Sequence, residues 1–197
     1  MSENKNPSTG AAKDERSIER ELKFSVDGIE GIRERLVELE AERKSPGAPE
    51  DNWIFDRNEE LTADGRLLRL RKDGGGAVLT YKGAPTFENG VKIREELETR
   101  LGNLDHMRDI LLRLGYEPTR RYQKVREEWL LGGVIIALDH TPVGDFVEFE
   151  GIGAETVARR CGLAVEDAES RNYLKIYDDM LKENPALPPD MVFQDDN

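Results

Sequence analysis

Through much of this chain apolar and polar residues alternate one by one, the two-residue period of half-buried strands, and amphipathic helices with three-to-four-residue spacing interrupt it. Residues 18–26 read as the first strand. Ile29, Ile32, Leu36 and Leu39 then step like a helix, predicted over 29–43 with Asp27 near its N-cap. After a Ser/Pro/Gly loop at 45–49, strands are expected at 52–56, 66–72, 77–82 and 91–99, with Asp73-Gly74-Gly75-Gly76 as a tight hairpin turn. A second helix over 104–114 stops at Gly115. Strands at 120–131, 133–140 and 145–150 follow, turned by Gly132-Gly133 and by Pro142-Val143-Gly144, and helices at 153–162 and 170–182 close the pattern. Residues 1–16 and 184–197, polar or proline-punctuated, are expected to be disordered tails flanking one domain at 17–183. Eight strands joined mostly by hairpins, with helices between, predict an α+β fold: an antiparallel sheet, open or closed into a barrel.

The charged residues of these strands repeat on one face. Glu19, Glu21 and Lys23 lie opposite Leu22 and Phe24, and Arg69 and Arg71 lie opposite Leu68 and Leu70. Lys82 opposes Tyr81, while Arg94, Glu96 and Glu98 oppose Ile93 and Leu97. Lys124 and Arg126 flank Val125, Glu148 and Glu150 flank Phe149, and Asp139 follows an apolar strand end. On an open sheet such a face is a solvated surface of ion pairs worth about 0–1 kcal/mol each. In a barrel the apolar faces meet the helices and the charges line the interior. A lumen of so many charges is costly to desolvate and therefore reads as a site. Its carboxylates suit a hard cation such as Mg²⁺ or Mn²⁺, and its Lys and Arg side chains suit phosphate oxygens; a ligand needing both is a metal-bound polyphosphate.

Composition narrows the partners. The net charge is −12 over 197 residues; residues 1–15 and 183–197 carry −5 of it, leaving −7 on the body between them. That sign argues against wrapping a nucleic-acid polymer or docking on an anionic membrane, so a polyanion must meet a local basic pocket. No apolar run reaches the roughly 18 residues of a membrane span, and the N-terminus lacks the apolar stretch of a secretory signal; a cytoplasmic location is the expectation. Cys161, the single cysteine, excludes an internal disulfide and reads as a packing thiol.

The opening Glu19-Arg20-Glu21-Leu22-Lys23 resembles the Glu-x-Glu-x-Lys strand of the CYTH domain, or triphosphate tunnel metalloenzymes. Leu68-Arg69-Leu70-Arg71, Leu79-Thr80-Tyr81-Lys82-Gly83, Arg94-Glu95-Glu96-Leu97-Glu98, Lys124-Val125-Arg126, Asp139 and Val147-Glu148-Phe149-Glu150 follow in family order. The resemblance implies an eight-stranded antiparallel tunnel. Glu19, Glu21, Glu96, Glu98, Asp139, Glu148 and Glu150 would stand on the metal side, with Mg²⁺ or Mn²⁺. Lys23, Arg69, Arg71, Lys82, Arg94, Lys124 and Arg126 would hold a triphosphate, with Lys23 and Lys82 nearest the chemistry. The helix after the first strand and the Val143–Glu148 run are similar to the class IV adenylyl cyclase branch, which makes cyclic AMP and pyrophosphate from ATP. In some family hydrolases a tyrosine of the second strand partners the lysine matching Lys82; the segment Asn52–Asp56 has none. A triphosphatase and a non-catalytic polyphosphate-binding module are the other readings, and a homodimer is compatible with the resemblance. Tyr173 matches a recurring aromatic of the last helix, and Lys175 is placed to close the tunnel.

Overall fold

The computed structural model describes residues 17–194. Strands β1 (Ser17–Val26), β2 (Glu42–Asp56), β3 (Leu67–Asp73), β4 (Gly76–Lys82), β6 (Val91–Leu101), β7 (Glu117–Leu131), β8 (Val134–Thr141) and β9 (Gly144–Glu150) pair antiparallel in the order β1-β9-β8-β7-β2-β3-β4-β6. A further β1–β6 pairing, with Glu19 opposite Arg94, closes the sheet into a barrel. β5 (Thr86–Glu88) is a three-residue flap on β6. Closure removes the exposed edges that an open sheet of this size would leave. Among the described residues no helix is long and apolar enough to cross a membrane.

The hairpin turns follow the sequence closely. Gly132 and Gly133 have φ of 60° and 85°, the left-handed pair that a two-residue turn between β7 and β8 needs and that glycine adopts without a Cβ clash. The apolar strand faces point outward. Leu22, Phe24, Ile136, Leu138, Val147 and Phe149 pack beneath Ile32 and Leu36 of α1 (Glu30–Glu38), Val157 and Ala158 of α3 (Ala154–Arg160) and Cys161 at the C-cap of α3. Phe55 and Leu70 pack beneath Leu111 of α2 (Leu104–Arg113). A third cluster lies at the tunnel itself, where Ile54, Tyr122 and Phe146 meet Tyr173 and Tyr177 of α4 (Tyr173–Glu183).

Three expectations are corrected. The first helix runs only over 30–38, and its N-cap is Ile29 without a side-chain bond, not Asp27. The expected loop at 45–49 is strand: β2 starts at Glu42 and pairs with β7 through register shifts between Arg43 and Ser45 and between Ser45 and Ala48. These bulges absorb Pro46 and Gly47, the residues whose local chemistry reads as loop. The C-terminal segment, expected to be a disordered tail, is docked as far as it is described. Met191 is fully buried, and its backbone bonds to Arg121 and Gln123 of β7. β8 begins pairing with β7 only at Val125, so this stretch of edge was open and the segment at Met191 fills it. The N-terminal tail expected at 1–16 lies outside the described residues.

Candidate active site

The closed barrel encloses a cavity of about 370 Å³. Lining it are Glu19, Glu21 and Lys23 from β1, Arg69 and Arg71 from β3, Lys82 from β4 and Arg94, Glu96 and Glu98 from β6. Lys124 and Arg126 from β7 and Glu148 and Glu150 from β9 complete the expected set except for Asp139. Strand alternation is what delivers them: each pair or triplet is spaced by two, so a strand that turns one charge inward turns in the rest.

Electrostatic pairing organises the walls. Lys82 Nζ lies 2.7 Å from Glu19 Oε1 and 2.9 Å from Glu96 Oε2, and Arg94 Nε lies 2.8 Å from Glu19 Oε2. Burial acts to raise the pKa of Glu19, but Lys82 and Arg94 prevail and hold it well below the usual carboxylate range. Glu21 sits 3.6 Å from Lys23 and 3.4 Å from Lys92. Glu148 pairs with Arg126 and stands 3.7 Å from Lys23; burial opposes its ionisation, yet Arg126, Lys124 and Lys23 keep its pKa far down.

Asp139 is the exception among the expected residues. It does not line the cavity but is fully buried behind it, 3.0 Å from Lys124 Nζ and 2.8 and 2.6 Å from Arg126 Nε and Nη2. The Tyr173 hydroxyl, 2.7 Å from Asp139 Oδ2 and 2.8 Å from Glu148 Oε1, completes this clamp. Tyr173 thus closes one wall of the cavity, with Lys23 Nζ 4.6 Å from its ring centroid. Lys175 is exposed and absent from the lining; Asn172 and Leu174 stand there instead.

A CYTH-domain family model matches residues 17–160. The chain belongs to the CYTH domain family. A Methanocaldococcus jannaschii protein, provisionally named an adenylate cyclase, is 28% identical over 134 residues, covering 68% of this chain and 76% of that protein. A Vibrio parahaemolyticus structure, also provisionally named an adenylate cyclase, superposes with a TM-score of 0.73 at 24% identity, over 82% of this chain and 98% of that one. A Hippeastrum protein, provisionally named an adenylyl cyclase and reported with a dominant triphosphatase activity, superposes with a TM-score of 0.60 at 18% identity, over 82% of this chain and 96% of that one. At such identities these two structures establish the fold.

The CYTH tunnel contains residues that the sequence reading did not single out. Lys92, Tyr122 and Glu128 line it, and each shares strand parity with an expected residue, so the signal was present. Glu50 gave no such signal, because it falls between the loop expected at 45–49 and the strand expected from 52. It is 6% exposed, with its carboxylate 3.3 Å from Arg71 and 3.6 Å from Lys124. Against the penalty of burial, Lys124, Arg126 and Arg71 push its pKa down to about 2. His140 is exposed, 2.6 Å from Asp145 and stacked on Phe193, outside the lining.

Whether these walls suit a divalent cation is tested by their donors. Among the described residues no three carboxylate, histidine or cysteine side chains converge on one point. Glu21 and Glu150 are nevertheless direct partners across β1 and β9, and the acidic donors are all oxygen, as Mg²⁺ or Mn²⁺ require. Burial and the nearby Glu19 charge push Glu150 up to about 7. Lys82 and Arg126 offset that rise only in part, and among the described residues no ion pair reaches Glu150, so a bound cation would supply the charge its carboxylate needs.

The sign of that shift gives a prediction. With a folded pKa above its unfolded value, ionised Glu150 costs stability once the pH exceeds about 7, and the cost vanishes as the pH falls below the unfolded value. Without added metal, Glu150→Gln is therefore expected to stabilise the protein by roughly 1–3 kcal/mol at pH 8 and not at pH 4. Added Mn²⁺ should raise the melting temperature of the wild type and not of the variant. Thermal unfolding at the two pH values, with and without metal, measures both; equal melting temperatures throughout would refute the assignment.

Proposed function

We propose that this CYTH protein is a divalent-metal-dependent enzyme acting on a triphosphate inside its tunnel, and that its reaction is of the class IV adenylyl cyclase kind, ATP to cyclic AMP and pyrophosphate. The observation that carries the triphosphate reading is the cation-lined cavity with unused donors. Among the described residues Arg69 and Arg71 each have a buried Nε–H without a hydrogen-bond partner, that of Arg71 lying 3.6 Å from Asp73, and such groups are costly unless a ligand takes them. Tripolyphosphate chains offer many anionic oxygens, and guanidinium groups match them with paired donors.

In this reading Arg69, Arg71, Lys124 and Arg126 hold phosphoryl oxygens, and Lys23 and Lys82 lie nearest the bond that breaks. Glu19, Glu21, Glu148 and Glu150 would hold the cation, with Glu96 and Glu98 toward the mouth. When bound, the cation neutralises phosphate charge and makes an attacking hydroxyl more acidic. The chain's own contribution is alignment and preorganised charge: the carboxylate-paired cations are already in place before substrate arrives, so little reorganisation accompanies charge movement. Asp139 acts as the positioning group for Lys124 and Arg126, since it lies outside the cavity lining, inaccessible to water, and bonds to both of them.

Cyclase chemistry is favoured over hydrolysis by the surroundings of Lys82, whose ammonium rests on Glu19 and Glu96 rather than on a tyrosine that could activate water. The name carried by the Methanocaldococcus jannaschii relative agrees. A triphosphatase is the second reading. The cavity offers few apolar side chains, Ile18, Leu67 and Leu174 among them, to receive a base, and the Hippeastrum protein is reported with dominant triphosphatase activity.

Product analysis with ATP, tripolyphosphate and thiamine triphosphate, each with Mg²⁺ or Mn²⁺, decides between them. The expected result is cyclic AMP with equimolar pyrophosphate. Orthophosphate without cyclic AMP would replace the cyclase by the triphosphatase, and ATP binding without metal-stimulated turnover would leave a binding module.

A further inference from the structure

Most groups lining the cavity are Lys, Arg or Glu side chains. Tyr122 and Tyr173 instead bring a neutral hydroxyl, and their surroundings dispose of its proton differently. Tyr173 is committed to Asp139 and Glu148, and burial beside those carboxylates pushes its pKa well up. Tyr122 accepts: its oxygen takes a hydrogen bond from Arg69 Nη1 at 3.2 Å, and among the described residues no hydrogen bond given by this phenol is found. Its ring is packed against Ile54, Phe146 and Tyr173, so the hydroxyl sits where the apolar cluster meets the charged cavity. Burial acts to raise its pKa, yet Arg69 and Lys124 prevail and set it below the ordinary tyrosine value. A more acidic phenol is a stronger donor to an anion. Arg69 in turn spends Nη2 on Thr80 Oγ1 at 3.3 Å, and among the described residues its Nε–H has no hydrogen-bond partner.

We propose that Tyr122 is a further substrate-contacting residue, its hydroxyl donating to a phosphoryl oxygen held by Arg69. This rests on the triphosphate reading above and refines it: the two side chains form one clamp in which Arg69 both binds the anion and sharpens the phenol as a donor. A neutral donor suits this position, because another cation beside Arg69 and Lys124 would add repulsion to the empty site.

Tyr122→Phe removes the hydroxyl and keeps the ring in its cluster. Calorimetric titration of tripolyphosphate with Mg²⁺, and turnover of whichever triphosphate the wild type uses, are expected to weaken by roughly 10- to 100-fold, with little change in melting temperature. Combined with Arg69→Lys, the losses should be less than additive, as for two donors to one oxygen. Binding and turnover within twofold of wild type, or strict additivity with Arg69→Lys, would overturn the proposal and leave Tyr122 a packing residue. Failure of the wild type to bind any triphosphate would instead overturn the underlying reading, so the two failures are distinguishable.

Discussion

Protein carrying Glu19→Gln and Glu21→Gln together is expected to lose at least about three orders of magnitude of turnover, close to 4 kcal/mol of transition-state stabilisation. Two causes add. The variant loses two anionic oxygen donors from the face proposed to hold the cation. It also removes the negative charge that Glu19 places between Lys82 and Arg94 and that Glu21 places between Lys23 and Lys92. Those four cations then repel one another and leave the geometry in which substrate would find them. Because these groups are buried, stability should fall too, by roughly 2–5 kcal/mol at neutral pH. The sign with pH is fixed by Glu19: its depressed pKa contributes stability present above the unfolded carboxylate value and lost as pH falls toward the folded one. The gap in melting temperature between wild type and variant should therefore narrow below about pH 4. Product formation and thermal unfolding across pH measure both effects. Turnover within tenfold of wild type would show that β1 holds no ligand, and a surface role would predict near-neutral stability.

Asp139→Ala should be the most destabilising single change in the site. Its carboxylate is inaccessible to water and serves Lys124, Arg126 and Tyr173 at once. Its removal takes the shared counter-charge from buried Lys124 and half-buried Arg126, which keep Glu50 and Glu148 as partners, and breaking such a pair typically costs about 3–5 kcal/mol, or roughly 10 °C in melting temperature for a chain of this size. Lys124 and Arg126 would lose their aim into the cavity, and turnover should drop about 100-fold. Asp139→Asn keeps the shape without the charge and should recover part of the stability but little of the activity. If Asp139 were instead an exposed ligand with no clamp function, the melting temperature would move by no more than 2–3 °C, which denaturation of the three proteins side by side would reveal.

Much of this was legible in the chain because a strand's side-chain period is two. Once Glu19, Glu21 and Lys23 were seen to share a face opposite Leu22 and Phe24, the choice was between water and lumen, and the helices expected at 29–43 and 153–162 needed the apolar side. The sequence by itself thus determined the strand order of charges, the hairpins at Gly74-Gly75 and Gly132-Gly133, and the residue types available to a phosphate and a cation. What only the tertiary structure decided is where local signals conflict with distant partners. Pro46 and Gly47 read as loop, yet pairing with β7 carries the strand through them on bulges and turns Glu50 inward. The proline-rich end reads as a tail, yet the β7 edge left open beyond the β7–β8 pairing binds it. Asp139 has the parity of a ligand, but whether it faces the cavity depends on Lys124, Arg126 and Tyr173 arriving from elsewhere in the chain to occupy it. Periodicity is a property of neighbours along the chain; the last placements depend on contacts between residues tens of positions apart, which no local pattern encodes.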